Sequence, residues 1–198
     1  MGASAATRVE VHPATAERFA DVAAILGPKK LDAPVCWCLS YRVPNAEYNR
    51  LRGPGRPDRL KEFCRRDPAP GVVGYVDGVP AGWCGFGPRS ELPRLVNSRT
   101  IPSPDDVPVW SVFCFVIRPP FRRQGLSARL LEGTIAYARA NGTPMLEAYP
   151  VDPLDGRISP SLAYVGTTSL FEAAGFDRVQ PTSGRSGGAT RWLMRLKL

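Results

Sequence analysis

The chain is poor in histidine: its 198 residues include only one, His12. A lone histidine near the amino end, beside Pro13, excludes Ser-His-Asp and Cys-His hydrolases unless His12 itself is the base, and a structural place is expected for it. Long apolar runs are missing as well. No stretch approaches the ~20 residues a membrane helix needs. No basic segment leading into an apolar one opens the chain, so no signal peptide is expected. Acidic residues are in deficit, 18 against 26 Lys and Arg, for a formal net charge of +8. The five cysteines are an odd count. Without a secretion signal they predict reduced thiols in a cytoplasmic protein, not a disulfide framework. Zinc is poorly provided for, because Cys36-Trp-Cys38 has one intervening residue and no second Cys/His pair follows.

The remaining composition is that of a globular protein. A hydrophobic share of 43% and a charged share of 22% argue against disorder and fibres. The length predicts one domain over residues 1–198. The positive excess is concentrated in one stretch: Arg50, Arg52, Arg56, Arg59, Lys61, Arg65 and Arg66 face only Asp58 and Glu62. Only Phe63 interleaves with these cations, so base stacking is poorly served and nucleic acid is not the expected partner. A solvated face is favoured over a docking surface for an anion.

The most informative segment runs from Phe115 to Leu131. An apolar strand enters Pro119-Pro120, a short basic loop with one glycine follows, and a helix starts at about Gln124. Leu126, Leu130, Leu131, Ile135 and Ala138 recur at helical spacing, with Arg129, Glu132 and Arg139 mostly off that stripe. A loop that opens a helix directs unpaired N–H groups and the positive end of the helix dipole at one spot. Gly125 admits a ligand close to the main chain, and Arg122 and Arg123 add full charges. This arrangement suits a pyrophosphate. An ordinary strand–loop–helix turn with surface arginines fits the segment equally well.

Arg122-Arg-Gln-Gly125-Leu-Ser127 resembles the R-x-x-G-x-G/A loop with which GCN5-related N-acetyltransferases (GNAT) clamp the pyrophosphate of acetyl-CoA, with Ser127 at the last small position. Three neighbours occur in the family's order. Val72 to Phe86 reads as a hairpin around Asp77-Gly78. Met145 to Tyr149 reads as a strand. Ser169 to Phe176 resembles the family's closing helix-to-strand segment, which ends in Gly-Phe. The resemblance covers about residues 72–176.

It implies an α/β fold: a mixed, mostly antiparallel twisted sheet flanked by helices. The acyl-CoA core would span about 72–176 and the acceptor side about 15–70. The implied activity is transfer of acetyl from acetyl-CoA, as co-substrate, to a primary amine in a ternary complex. Phe115, Val116 and Ile117 would pair with the pantetheine. Arg122, Arg123, Gln124, Gly125, Leu126 and Ser127 would hold the pyrophosphate. The family often protonates the leaving thiolate with a Tyr four residues before the closing glycine. Here that position is Phe171, which leaves Tyr149, Tyr164 or water as the acid. Glu147, a carboxylate in mid-strand, is the expected base, with Asp152 behind it; an ion-paired Glu147 is equally compatible.

Cys114 lies near the implied thioester position, where core packing is favoured over an acyl-cysteine. Cys36 and Cys38 are expected as buried small thiols near the acceptor pocket. Trp37, Tyr41, Trp83, Trp110 and Tyr149 could wall that pocket, although most aromatics are simply core. Two other readings stay open: a non-catalytic CoA-binding protein, motivated by Phe171, and a transferase using another donor such as aminoacyl-tRNA, motivated by Arg50 to Arg66. A second copy of the chain is compatible as a partner; no membrane is expected, and the acceptor's identity lies beyond the sequence.

Elsewhere the patterns predict a strand over 7–11 and a helix over 15–26 capped by Thr15 and stopped at Gly27-Pro28. They further predict a helix near 58–66, a short helix over 90–96, a loop over 97–107, a central strand over 109–117, a Gly/Ser turn over 182–189 and a last strand over 191–196. The segment 158–165 is left uncertain.

Overall fold

Asp77 and Gly78 both adopt left-handed backbone (φ 49° and 77°), the twist a two-residue hairpin requires. They join β2 (Gly71–Val76) to β3 (Val79–Pro88), so the predicted hairpin is present with slightly longer arms. The structure is a computed structural model that describes residues 7–28, 33, 35–52, 54–153 and 163–198. Most of the uncertain segment 158–165 lies outside the described residues.

The chain forms one open sheet of seven strands in the order β1-β2-β3-β4-β5-β7-β6. The remaining strands are β1 (Val9–Pro13), β4 (Trp110–Ile117), β5 (Met145–Ala148), β6 (Asp177–Ser186) and β7 (Ala189–Lys197). All neighbours pair antiparallel except β4 and β5. That one parallel pair is short, with Trp110, Ser111 and Val112 opposite Leu146, Glu147 and Ala148. Beyond Val112 the strands part, and the edge of β4 from Phe115 to Ile117 faces an open groove. A bulge sits at the parting: Cys114 pairs with Gly85 and Val112 with Phe86, which leaves Phe113 without a cross-strand partner.

Helices cover both faces. One face carries α1 (Phe19–Leu26), α2 (Asn45–Arg50) and α3 (Gly55–Phe63); α1 packs on β3 and β4. Val22, Ile25, Leu39, Leu60, Trp83, Phe113 and Tyr149 share the core beneath them. The short helix α4 (Pro93–Val96) follows a 3-10 turn at Arg89–Glu91. On the other face α5 (Leu126–Ala140) crosses β1, β2 and β3, and α6 (Thr168–Ala173) lies by β6 and β7. Leu126, Leu130, Leu131 and Ile135, the stripe read from the sequence, pack there with Val112, Phe115, Phe171 and Met194.

Several expectations are corrected. Thr15 does not cap through its side chain: a 3-10 turn (Ala16–Arg18) precedes α1, and Thr15 Oγ1 accepts from Arg18 instead. The helix α2 is absent from the expectations, because six residues carry little periodicity. The predicted turn over 182–189 is mostly strand, since β6 continues to Ser186 and only Gly187-Gly188 (φ 59° and 83°) turn. In the basic stretch Arg50, Arg52, Lys61, Arg65 and Arg66 are exposed, and Arg56 and Arg59 are half-buried. Arg59 pairs with Glu47 and Glu62, Arg56 covers the Tyr48 ring, and Phe63 is ringed by Arg42, Arg59 and Arg66.

Candidate active site

The basic loop folds into an anion cradle. Arg123 (φ 59°) and Gly125 (φ 74°) are left-handed, and α5 therefore starts at Leu126, two residues later than the periodicity predicts. No side chain caps the helix, so the N–H groups of Leu126 and Ser127 point outward without a helical acceptor. Arg122, Arg123, Gln124 and Gly125 are exposed. A Cβ built on Gly125 meets no atom within 4 Å, so the space over the loop is open to a ligand. The loop is braced from below: Arg122 Nε donates to the Ile117 carbonyl at 3.0 Å and Gln124 to that of Pro120 at 2.9 Å. These features fit a pyrophosphate.

A cavity of about 390 Å³ extends from the cradle along β4. Phe115, Val116 and Ile117 form one wall with Arg122, Arg123 and Ser127, and Tyr164, Gly166, Thr167 and Leu170 form the other. The structure thus brings together the strand, the loop and one of the two tyrosines named from the sequence. Cys114 precedes Phe115 in β4 and is partly exposed, outside the lining of this cavity.

The expected base meets a closed site. Glu147 is 0% exposed, and both its carboxylate oxygens are engaged. Arg89 Nη1 donates to Oε1 at 2.9 Å and Arg195 Nε to Oε2 at 2.8 Å. The hydroxyl of Tyr149, also fully buried, donates to Oε1 and lies 2.8 Å from Ser111 Oγ. Burial and the adjacent carboxylate push that phenol far above its usual range. Glu147 and Tyr149 thus form a buried ion-paired cluster beside the β4–β5 seam and present no free atom to an acceptor. Asp152 is likewise held, by Arg178 at 2.6 Å and the Thr168 hydroxyl at 3.2 Å.

Tyr164 differs. It is 37% exposed in the cavity wall, and desolvation of its hydroxyl, with Tyr41 beside it, pushes its pKa up to about 12. Phe171, at the family's usual tyrosine position, is fully buried between Phe115 and Phe176. Of the aromatics expected to wall the acceptor side, Trp37, Tyr41, Trp83 and Tyr149 do gather on one face, with Trp83 and Tyr149 fully buried. Trp110 does not; it stacks on Phe86 on the opposite face. His12 lies on the edge strand β1 against Tyr75 and Glu10, away from the groove.

The arginines around this site are missing from the sequence reading. Arg191 donates to the Tyr149 carbonyl at 2.9 Å and the Tyr41 hydroxyl at 3.0 Å, and its Nη2 is buried with no partner. Arg191 and Arg195 sit four residues apart in β7, on the inward parity with Leu193, and that parity is the signal that could have marked them.

The model of the acetyltransferase (GNAT) family matches residues 39–155, which include β4, the cradle and β5. No curated protein sequence matches the chain. Among solved structures, the fold is shared with a GNAT acetyltransferase of Streptococcus pneumoniae (TM-score 0.56, 16% identity, 96% of this chain and 99% of that one). It is shared too with yncA of Salmonella typhimurium, solved with its cofactor acetyl-CoA (0.54, 18%, 96% and 93%). A third is the paia N-acetyltransferase of Thermoplasma acidophilum in complex with coenzyme A (0.53, 11%, 96% and 99%). With more than half its length matched by the family model, and a sheet that parts beside an anion cradle, this chain is an acyltransferase belonging to the GNAT family.

Proposed function

We propose that the protein transfers an acetyl group from acetyl-CoA directly to a primary amine, with both bound at once. The observation that carries this reading is the continuous groove from the cradle at Arg122–Ser127, along the free edge of β4, to Phe115 and Tyr164. The exposed loop N–H groups and arginines would bind the pyrophosphate, and the edge of Phe115, Val116 and Ile117 that faces away from β3 would accept an extended amide-bearing arm as a neighbouring strand would. Acetyl-CoA supplies the activated acyl carbon when bound. As the new C–N bond forms and the C–S bond breaks, Tyr164 gives its proton to the departing sulfur, a role Phe171 cannot fill. Its placement in the groove favours a catalytic over a merely CoA-binding reading. Melting of the purified protein with and without millimolar acetyl-CoA tests the binding, with a rise in Tm expected. Thiol release with a panel of primary amines tests the transfer, and tight binding without release above background would sink it.

A further inference from the structure

Cys38 and Cys114 lie 76 positions apart in sequence, yet both border Gly85: Cys114 is its cross-strand partner on β4, and Cys38 Sγ fills the space where a Gly85 side chain would stand on that same face. The surroundings of Cys38 are those of a thiolate. Trp83 Nε1 donates to its sulfur at 3.2 Å. The guanidinium of Arg42, itself 7% exposed, lies beside it. That guanidinium donates to the carbonyls of Pro70 and Phe86 and stacks 4.9 Å from the Phe113 ring, but meets no carboxylate among the described residues. Its Nε is buried without a partner. Asp67 and Glu91 line the cavity that Arg42 borders without pairing with it, and the Cys38 sulfur lies beside the guanidinium, where a negative charge is favoured.

The backbone is shaped to this end. Trp37 and Cys38 both hold left-handed φ (51° and 53°), a conformation that costs non-glycine residues about 1 kcal/mol or more each. On the opposing strand, a Cβ on Gly85 would come within 2.5 Å of Cys38 Sγ, so the missing side chain makes room for the sulfur. The other titratable groups around the pair are Cys64, at the end of α3, Cys84 on β3, Cys36, and Tyr164 with Tyr41 beside it. Burial pushes Cys64 and Cys84 up to about 11 and about 12, so both stay protonated and neutral. Cys38 is drawn down to about 7 against the desolvation that opposes it, by Cys114, Arg42 and Trp83. The thiol of Cys114 is held protonated by the neighbouring Cys38.

Cys38 is 3% exposed and cannot meet an acceptor, whereas Cys114 is partly exposed, adjoining Phe115 of the groove wall in β4 and near Tyr164. We infer that Cys114 and Cys38 together form the proton-accepting dyad of the transfer reaction, with Cys114 touching the amine and Cys38 storing the charge. In the step, Cys114 passes its proton to the Cys38 thiolate and takes one from the acceptor's ammonium nitrogen. The pair goes from one proton to two, the amine becomes neutral, and no covalent bond to either sulfur forms. Return of that proton to solvent restores the dyad. Glu147 and Asp152, the carboxylates expected in this role, are both occupied by arginine. The inference rests on the transferase reading above.

Two measurements test it. Thiolate absorbance of the wild type across a pH series should show a step near pH 7 that Cys38→Ser removes. A Cys38 that titrates at or above an ordinary thiol overturns the dyad, whether or not an amine substrate is in hand. In the acetylation assay, Cys38→Ser, Cys38→Ala and Cys114→Ala should each lower kcat/KM for the amine about 10²–10⁴-fold at neutral pH, with most of the loss recovered where the amine is already neutral. The acetyl-CoA Kd should be unchanged. Full activity with the wild-type acid limb in both Cys38 variants overturns the proposal. So does an acetyl adduct on Cys114 by mass spectrometry, which would mean a covalent route. Failure of the transferase reading shows separately, as a wild type that does not bind acetyl-CoA.

Discussion

The guanidinium of Arg195 lies 2.8 Å from the Glu147 carboxylate, which water does not reach. Arg89 holds the same carboxylate from β3's end of the molecule, and Arg195 also grips Asp105 at 2.6 and 3.0 Å. Glu147→Gln leaves two buried cations with one compensating charge fewer. It should destabilise the fold by about 3–5 kcal/mol, read from denaturant unfolding. Its kcat/KM per folded molecule should lose little, with no recovery at high pH. A stable variant with a large, pH-rescued loss of rate would restore Glu147 as the base.

The thiolate of Cys38 links stability to pH. Its pKa falls from 9.0 to about 7 on folding, so between these values the unfolded chain binds more protons at this site and stability rises with pH. The contribution is complete above about 9 and disappears as pH falls through about 7. Cys64 and Cys84 act with the opposite sign: raised on folding, they favour the native state at lower pH, and that preference is lost toward about 11 and 12. The stability gap between wild type and Cys38→Ser should therefore widen from neutral to mildly alkaline pH. A gap that stays constant would mean a neutral Cys38.

Tyr164→Phe removes the hydroxyl but keeps the ring that lines the groove. We expect kcat to fall by about 10–10²-fold, with the KM for acetyl-CoA within a few-fold of wild type. An unaltered kcat would show that water protonates the departing sulfur.

Gly125→Ala separates backbone strain from ligand contact. At φ 74° an alanine costs about 1–2 kcal/mol, a loss that should appear in the apo protein's unfolding. The added methyl meets no protein atom, so any further loss must appear in acetyl-CoA binding. Gly125→Val should weaken binding more, and equal affinity in both variants would place the pyrophosphate elsewhere.

The fold was largely legible because its signals are local. The Leu126–Ala138 stripe, the Asp77-Gly78 turn and the cradle glycine each act within a few residues, and each element is present within a few positions of its expected place. The end of β6 was missed because Gly/Ser composition reads as turn, whereas pairing with β7 overrides it. The chemistry was less legible because it is assembled across the chain. A carboxylate in mid-strand looks poised for catalysis until Arg89 and Arg195 arrive from 58 and 48 positions away. The same distance hid the opposite case: nothing around Cys114 in sequence lowers a thiol pKa, and the groups that do so for its neighbour come from residues 42 and 83.

The short parallel seam gives the molecule the mechanics of a pair of compasses. Strands β1 to β4 form one leg and β5 to β7 the other, joined at three opposed residue pairs. The cluster of Arg89, Glu147, Tyr149 and Arg195 sits at that pivot like a rivet, and it sets how far the legs stand apart. A ligand lying between Val116 on one leg and Leu170 on the other would brace the opening from its wide end, so rigidity at the rivet and occupancy of the groove should reinforce each other across the length of the sheet.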